Sequence, residues 1–244
     1  MHPDYQRLIL TPARTARLLT LLLVSVFFMN GLALFVAHGL GYPVVLGFVP
    51  MFHVDFENNV PTFVAFGLLL CSALTCAWTR ALESARPRHR RTWALLSLVF
   101  LFLAADELLS LHEQLGDRMH EQFAGLDLPL FAWILPYGAA VLLASAYLLR
   151  WFLELDRPMQ VSLLMSGGIF LFGAIGLEFL ASGLYTSLPE DREVYRTLSI
   201  DLLATAEEAC EFIGVSLFLY TMVKRLGGVS FRALGGEATV LARQ

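Results

Sequence analysis

Residues 93–122 read WALLSLVFLFLAADELLSLHEQLGDRMHEQ. The first thirteen are apolar except for Ser97, and the next seventeen carry Asp106, Glu107, His112, Glu113, Asp117, His120 and Glu121. About 20 apolar residues in a helix cross a bilayer, so the stretch reads as a membrane span that gathers charge before it ends. The rest of the chain agrees. It is 57% hydrophobic and only 16% charged over 244 residues, a composition that excludes an ordinary soluble domain and belongs to a multi-pass membrane protein.

Six segments have the length and apolarity to span: about 17–39, 61–82, 93–113, 129–150, 160–184 and 200–223. Inside a bilayer the backbone has no water to bond, so each is expected to be a helix and the fold all-α, a six-helix bundle forming a single membrane domain over residues 1–244. The first span resembles a signal sequence, but its core is too long and LFVAHGLGYP is a poor cleavage site, so it reads as retained. Of the 17 basic residues, all but Arg118, Arg192 and Arg196 fall on one side of these spans. The positive-inside rule then puts both termini in the cytoplasm, with membrane lipid as the protein's surroundings. A net charge of −4 with no dense basic tract argues against nucleic acid. Cys71, Cys76 and Cys210 lie within spans and read as small buried hydrophobes. No sequence feature identifies a protein partner.

With that topology, the acids of three spans fall in one layer. Asp106, Glu107, His112 and Glu113 come late in span three and Glu178 late in span five, both running outward. Glu207, Glu208 and Glu211 come early in span six, which starts outside, and Asp55 and Glu57 precede span two on that side. A carboxylate at the centre of a membrane helix costs about 2.5–3.5 kcal/mol on insertion scales, and less toward the interface. Seven of them facing lipid unpaired would cost roughly 7–20 kcal/mol. They must face an interior, and no Lys or Arg stands at that depth to neutralise them. A bound cation or shared protons resolves the charge.

Helical spacing orders the group. Glu207 and Glu211 are i and i+4, with Glu208 beside Glu211. If span three continues past Gly116, then Asp106, Ser110, Glu113, Asp117, His120 and Glu121 form one stripe. Glycines 167, 168, 173 and 176 would let span five pack closely and bring Glu178 to the same centre. The expected ligands are therefore Asp106, His112, Glu113, Glu178, Glu207 and Glu211, with Asp55, Glu57, Glu107 and Glu208 behind them. The cofactor is a divalent metal ion: Ca or Mn fits the excess of carboxylate, and Fe or Zn fits the histidine. The paired Glu-x-x-His motifs of ferritin-like di-iron proteins are absent, Asp117-Arg-Met-His120 being the nearest approach. The acids around residue 120, with Glu190, Asp191 and Glu193, read as a solvated face. In DFENNVPT, residues 55–62, the Asn, Pro and Thr suit a helix cap, and the acids suit oxygen ligands.

Together VDFENNVPTF, DELLSLHE, GAIGLEFL and AEEACEFIGVSLFLY resemble, over residues 50–223, an uncharacterised group of bacterial multi-pass inner-membrane proteins. That resemblance implies about six membrane helices and no activity. A looser likeness is to alkaline ceramidases, in which a D-W-C-E-x-N stretch before a membrane helix binds calcium and a His/Asp zinc site hydrolyses an amide. DFENN matches it in part, and span six carries glutamates where that family has a late histidine pair. Three functions fit the acids. The first is a metal-dependent enzyme acting near the outer leaflet, the second a proton- or cation-coupled transporter, and the third an assembly subunit with a structural acid cluster. An inverted-repeat transporter would place the acids of span six in the inner half, and they are outer.

Overall fold

The computed structural model describes residues 7–83, 86–123, 125–126, 128, 131–186, 197–232 and 238–240. Glu190, Asp191, Arg192, Glu193 and Arg196 lie outside them. The chain is helical, as expected, and multi-pass. Helix α1 (Pro12–Leu34) starts at Thr11, whose hydroxyl accepts from the Arg14 N–H at 3.3 Å, and runs on as a π-helical turn over Phe35–Gly39. A short helix α2 (Phe48–Phe52) precedes α3 (Val60–Leu82). Then follow α4 (Pro87–Leu109), α5 (Leu111–Gln122), α6 (Ile134–Leu153) and α7 (Arg157–Leu171). A second π-helical turn, Phe172–Leu177, leads from α7 into α8 (Glu178–Thr186), and α9 covers Leu198–Arg225.

Among the described residues, five stretches are long and apolar enough to cross a membrane: Pro12–Gly39, Val60–Leu82, Pro87–Leu109, Ile134–Leu153 and Arg157–Ser182. The sixth expected span, α9, is the longest single helix, but Glu207, Glu208 and Glu211 interrupt its apolar run. Span three begins six residues earlier than expected. Pro87 opens α4, and the arginines that follow stay helical because long basic side chains reach the interface from the first turns.

Helix α9 is the hub and packs on α1, α3 and α7, while α3 and α4 form the most extensive helix pair. Phe212, Val215, Leu219 and Val223 of α9 join Leu68 and Leu69 of α3 and Val26 of α1 in one buried cluster. The close approach of span five depends on Gly173 and on Gly214 of α9 rather than on all four of its glycines. A Cβ at Gly173 would stand 2.7 Å from the Glu207 carbonyl oxygen, and one at Gly214 2.6 Å from Phe170 Cβ. Gly167 and Gly168 meet nothing within 4 Å, and Gly176 meets only Phe172 of its own helix. Helix α6 stands off from the rest, its backbone approaching α4 sparsely and α7 scarcely at all. Cys76 is buried and Cys210 half-buried, but Cys71 is exposed on the outer face of α3.

Two features depart from the expectation. A small antiparallel sheet joins the ends of the chain: β1 (Arg7–Leu10) pairs with β2 (Val229–Arg232), which pairs with β3 (Ala238–Val240). The polar stripe also does not continue along one helix. Ser110 adopts left-handed backbone angles (φ 48°, ψ 47°), so α4 stops at Leu109 and α5 sets off afresh. A segment as polar as LHEQLGDRMHEQ has no reason to extend a membrane axis, and the break lets it leave.

Candidate cation site

The break at Ser110 creates the local geometry. Because the chain turns there, Asp106 faces the start of α5 and accepts from the His112 backbone N–H at 2.9 Å. Its other oxygen lies 3.1 Å from His112 Nδ1, and the Tyr137 hydroxyl of α6 donates to Oδ1 at 2.9 Å. Asp106 is thus buried and occupied by three donors. With Nδ1–H donating to Asp106, Nε2 of His112 is the nitrogen left to a cation, which has to displace its proton. Trp133 fixes the ring from the side, its centroid 5.0 Å away at 62°.

Glu57 reaches His112 from the loop before α3. Asn59 determines that loop: its side chain caps α3 by accepting from Thr62 N at 3.1 Å, and its amide donates to the His53 and Pro50 carbonyls at 2.6 and 3.1 Å. Asn58 takes a positive φ of 56°. Glu57, His112 and Glu113 then each offer one ligand atom, all within 4.8 Å of one another. Partial burial and the Glu113 carboxylate raise the Glu57 carboxyl above its ordinary pKa, against the Ser110 hydroxyl and His112. Burial opposes charge on His112, but the Asp106 hydrogen bond and the charges of Asp106, Glu113 and Glu57 outweigh it and raise the imidazole to about 9. Crowded negative charge of this kind is what a divalent cation neutralises.

Glu107, Glu178, Glu207, Glu208 and Glu211 line a cavity of about 440 Å³ together with Glu57, Asp106 and His112. Glu178 opens α8 just after the π-helical turn and accepts from Trp133 Nε1 at 3.4 Å. Glu207 meets Glu178 across the interface tightened by Gly173. Glu211 lies among Glu107, His112, Glu178 and Asp106, while Glu208 faces Glu211, Glu107, Asp55 and Glu57. All ten expected residues therefore belong to one electrostatic neighbourhood. Their grouping differs from the sequence expectation: Glu57 stands with His112 and Glu113, Asp106 behind the histidine, and Glu178, Glu207 and Glu211 deeper. Among the described residues no Lys or Arg lines the cavity.

Sequence reasoning missed Tyr137 and Trp133, whose roles depend on α6 crossing above Asp106. It also missed a second polar knot. Asp201 Oδ2 lies 2.6 Å from His38 Nε2 and 3.3 Å from His53 Nε2. The Asp55 N–H donates to His53 Nδ1 at 3.3 Å, so Nε2 carries the proton that points toward Asp201. Asn30 completes it, donating to Thr205 Oγ1 and accepting from Val54 N, both at 3.0 Å. The knot ties α1, the loop before α3, and α9. Its partners lie more than 160 residues apart for His38 and Asp201, and no spacing rule announces such a pair.

No curated protein and no solved structure matches the chain, and the ceramidase likeness finds no support. The likeness to an uncharacterised family does. A family model described as a domain of unknown function (DUF8692) matches residues 15–225, nearly the whole membrane region, and the chain belongs to that family.

Proposed function

We propose that this is a six-span protein of the bacterial inner membrane, a single domain with both termini in the cytoplasm, that binds a divalent cation at the outer end of its cavity. The cation acts there on a lipidic or small substrate. The observation that carries the reading is the grouping of Glu57, His112 and Glu113, with Asp106 bracing the imidazole. A histidine held through one nitrogen by a carboxylate and presenting the other is the usual arrangement of a metal-binding imidazole. Two carboxylates and one imidazole suit Fe, Zn or Mn, and Ca through added oxygens from Asp55 or water. Glu107, Glu178, Glu207, Glu208 and Glu211 lie close enough to orient a water or hold its proton, and a bound cation supplies Lewis acidity toward a substrate oxygen.

The sixth span is supported by the terminal sheet. Strand β1 immediately precedes the first span and pairs with β2 just after α9, so the ends share a side, which requires an even number of crossings. The three glutamates of α9 are tolerated because they face the cavity. The transport reading fares less well: beyond the acids the cavity is walled by Leu96, Phe100, Leu148, Leu163, Phe218 and Trp151, which offer a cation no path inward.

The test is elemental analysis by plasma mass spectrometry on full-length protein purified in detergent without chelator, beside His112→Ala and Glu57→Gln. Near-stoichiometric metal that falls to background in both variants is expected, and the element found defines the chemistry. Folded wild-type protein that stays metal-free after each ion is offered would overturn the reading.

A further inference from the structure

The apolar part of the cavity runs far beyond the cation site. On α6 it is lined by Trp133, Tyr137, Val141, Ala144, Leu148 and Trp151, one face of the helix at steps of three and four. Trp133 to Trp151 is eighteen residues, about 27 Å at 1.5 Å per residue, longer than one leaflet's hydrocarbon of about 15 Å. Opposite, α7 contributes Leu163, Gly167 and Leu171, and the π-helical turn after it Ala174, and a Cβ at Gly167 would meet only open space. The two helices that wall this trough pack together at its inner end, where Leu148, Trp151 and Phe152 meet Met159 and Leu163, and beyond that cluster their backbones stay apart. Their outer faces, with Leu142 and Leu143 each 73% exposed and Leu164 63%, lie against lipid. The seam between α6 and α7 is therefore a lateral opening from the bilayer into the trough.

We propose that this trough takes the acyl chain of a membrane lipid, admitted between α6 and α7, and presents the lipid's head to the acids around His112. The inference deepens the function proposed above and rests on it for the reacting end only. The head is a hydrogen-bond donor without net negative charge, bearing hydroxyl or amine groups. Glu107, Glu178, Glu207, Glu208 and Glu211 face the space the head would fill, with no Lys or Arg lining it among the described residues, and each carboxyl group offers an acceptor oxygen to a hydroxyl or amine. An anionic head would have to share the cation and His112 with the surrounding carboxyl groups, with no Lys or Arg to add to them. At the inner end the trough closes on Trp151, whose buried indole N–H has no protein partner among the described residues. A volume of about 440 Å³ falls within the few-hundred to 1,000 Å³ range of small-molecule sites.

Three diazirine-bearing long-chain probes separate the possibilities: a monoacylglycerol, a primary amine and a fatty acid, each offered to full-length protein in nanodiscs and mapped by peptide mass spectrometry. The neutral and amine probes are expected to label the cavity face of α6 and α7. Labelling should fall about tenfold when Ala144→Phe and Gly167→Phe fill the trough, and stay unchanged in Leu142→Phe on the outer face. Ala174→Phe, which narrows the trough from the π-helical turn, gives the same reading should the pair fail to fold. Labelling confined to outward faces, or unaffected by filling, would overturn the lipid site, and a fatty acid that labels as well as the amine would overturn the head assignment. Metal content measured on the same samples keeps the two readings apart. A labelled trough without metal removes the cation function alone, and metal without a labelled trough removes this inference alone.

Discussion

At the scale of the residue, Asp106 shows how far position alone carries. Its place in an apolar run made it a candidate ligand, because charge there is expensive and must serve something. That it braces a ligand instead follows from the left-handed turn at Ser110, which aims His112 back at it. Replacing Asp106 by Asn keeps an acceptor for the His112 backbone but offers Nδ1 an amide donor. The imidazole proton then moves to Nε2, the nitrogen meant for the cation. Asp106→Asn is expected to weaken metal affinity by about 10–100-fold with the fold intact, as read by competition with a chromogenic chelator. Unchanged affinity would mean that His112 is not the nitrogen ligand. Glu57 was legible only as a neighbour of the site, because its approach depends on Asn58 and Asn59 folding the loop inward.

At the scale of the element, the apolar runs were legible almost to their ends, since in a bilayer length and composition decide. The break between α4 and α5 was not read, although Ser110-Leu-His-Glu113 has the S-x-x-E spacing of a helix start. The continuous polar stripe was the more economical pattern, and it was wrong because no membrane helix needs to carry so polar a segment outward. Small residues gave a mixed signal: a glycine in a membrane helix marks a close approach only where a neighbour's backbone fills its missing side chain. Gly214 is such a place, lying against Phe170 N and Cα. Gly214→Ala is expected to force α7 from α9 and cost about 1–3 kcal/mol, seen as a lower thermal midpoint in detergent. Gly167→Ala, facing open space, is expected to leave that midpoint unchanged or raise it slightly.

At the scale of the whole molecule, the gathering of the acids was legible because topology turns sequence position into depth, whereas the lateral trough was not. A void is defined by which helices fail to meet, and α6 and α7 are adjacent in sequence yet apart in space beyond their inner end. Topology is directly testable. With the native cysteines replaced, single cysteines at Thr11 and Gly228 are expected to react with an impermeant maleimide only in inside-out vesicles, and one at Asp117 only in right-side-out cells. Reaction of Thr11 and Gly228 from opposite sides would leave five crossings.

The terminal sheet bears on how the protein is made. Residues 7–10 leave the ribosome more than 200 residues before their partners at 229–232. Chain closure over such a distance would be slow for a free polypeptide, but membrane insertion delivers both ends to one face and leaves them little room to wander. The β1–β2 pairing can therefore form only once every helix has been threaded, and it works as a clasp that shuts on completed assembly. A chain stalled or cut before residue 229 would leave β1 as an unpaired edge, open to quality-control proteases.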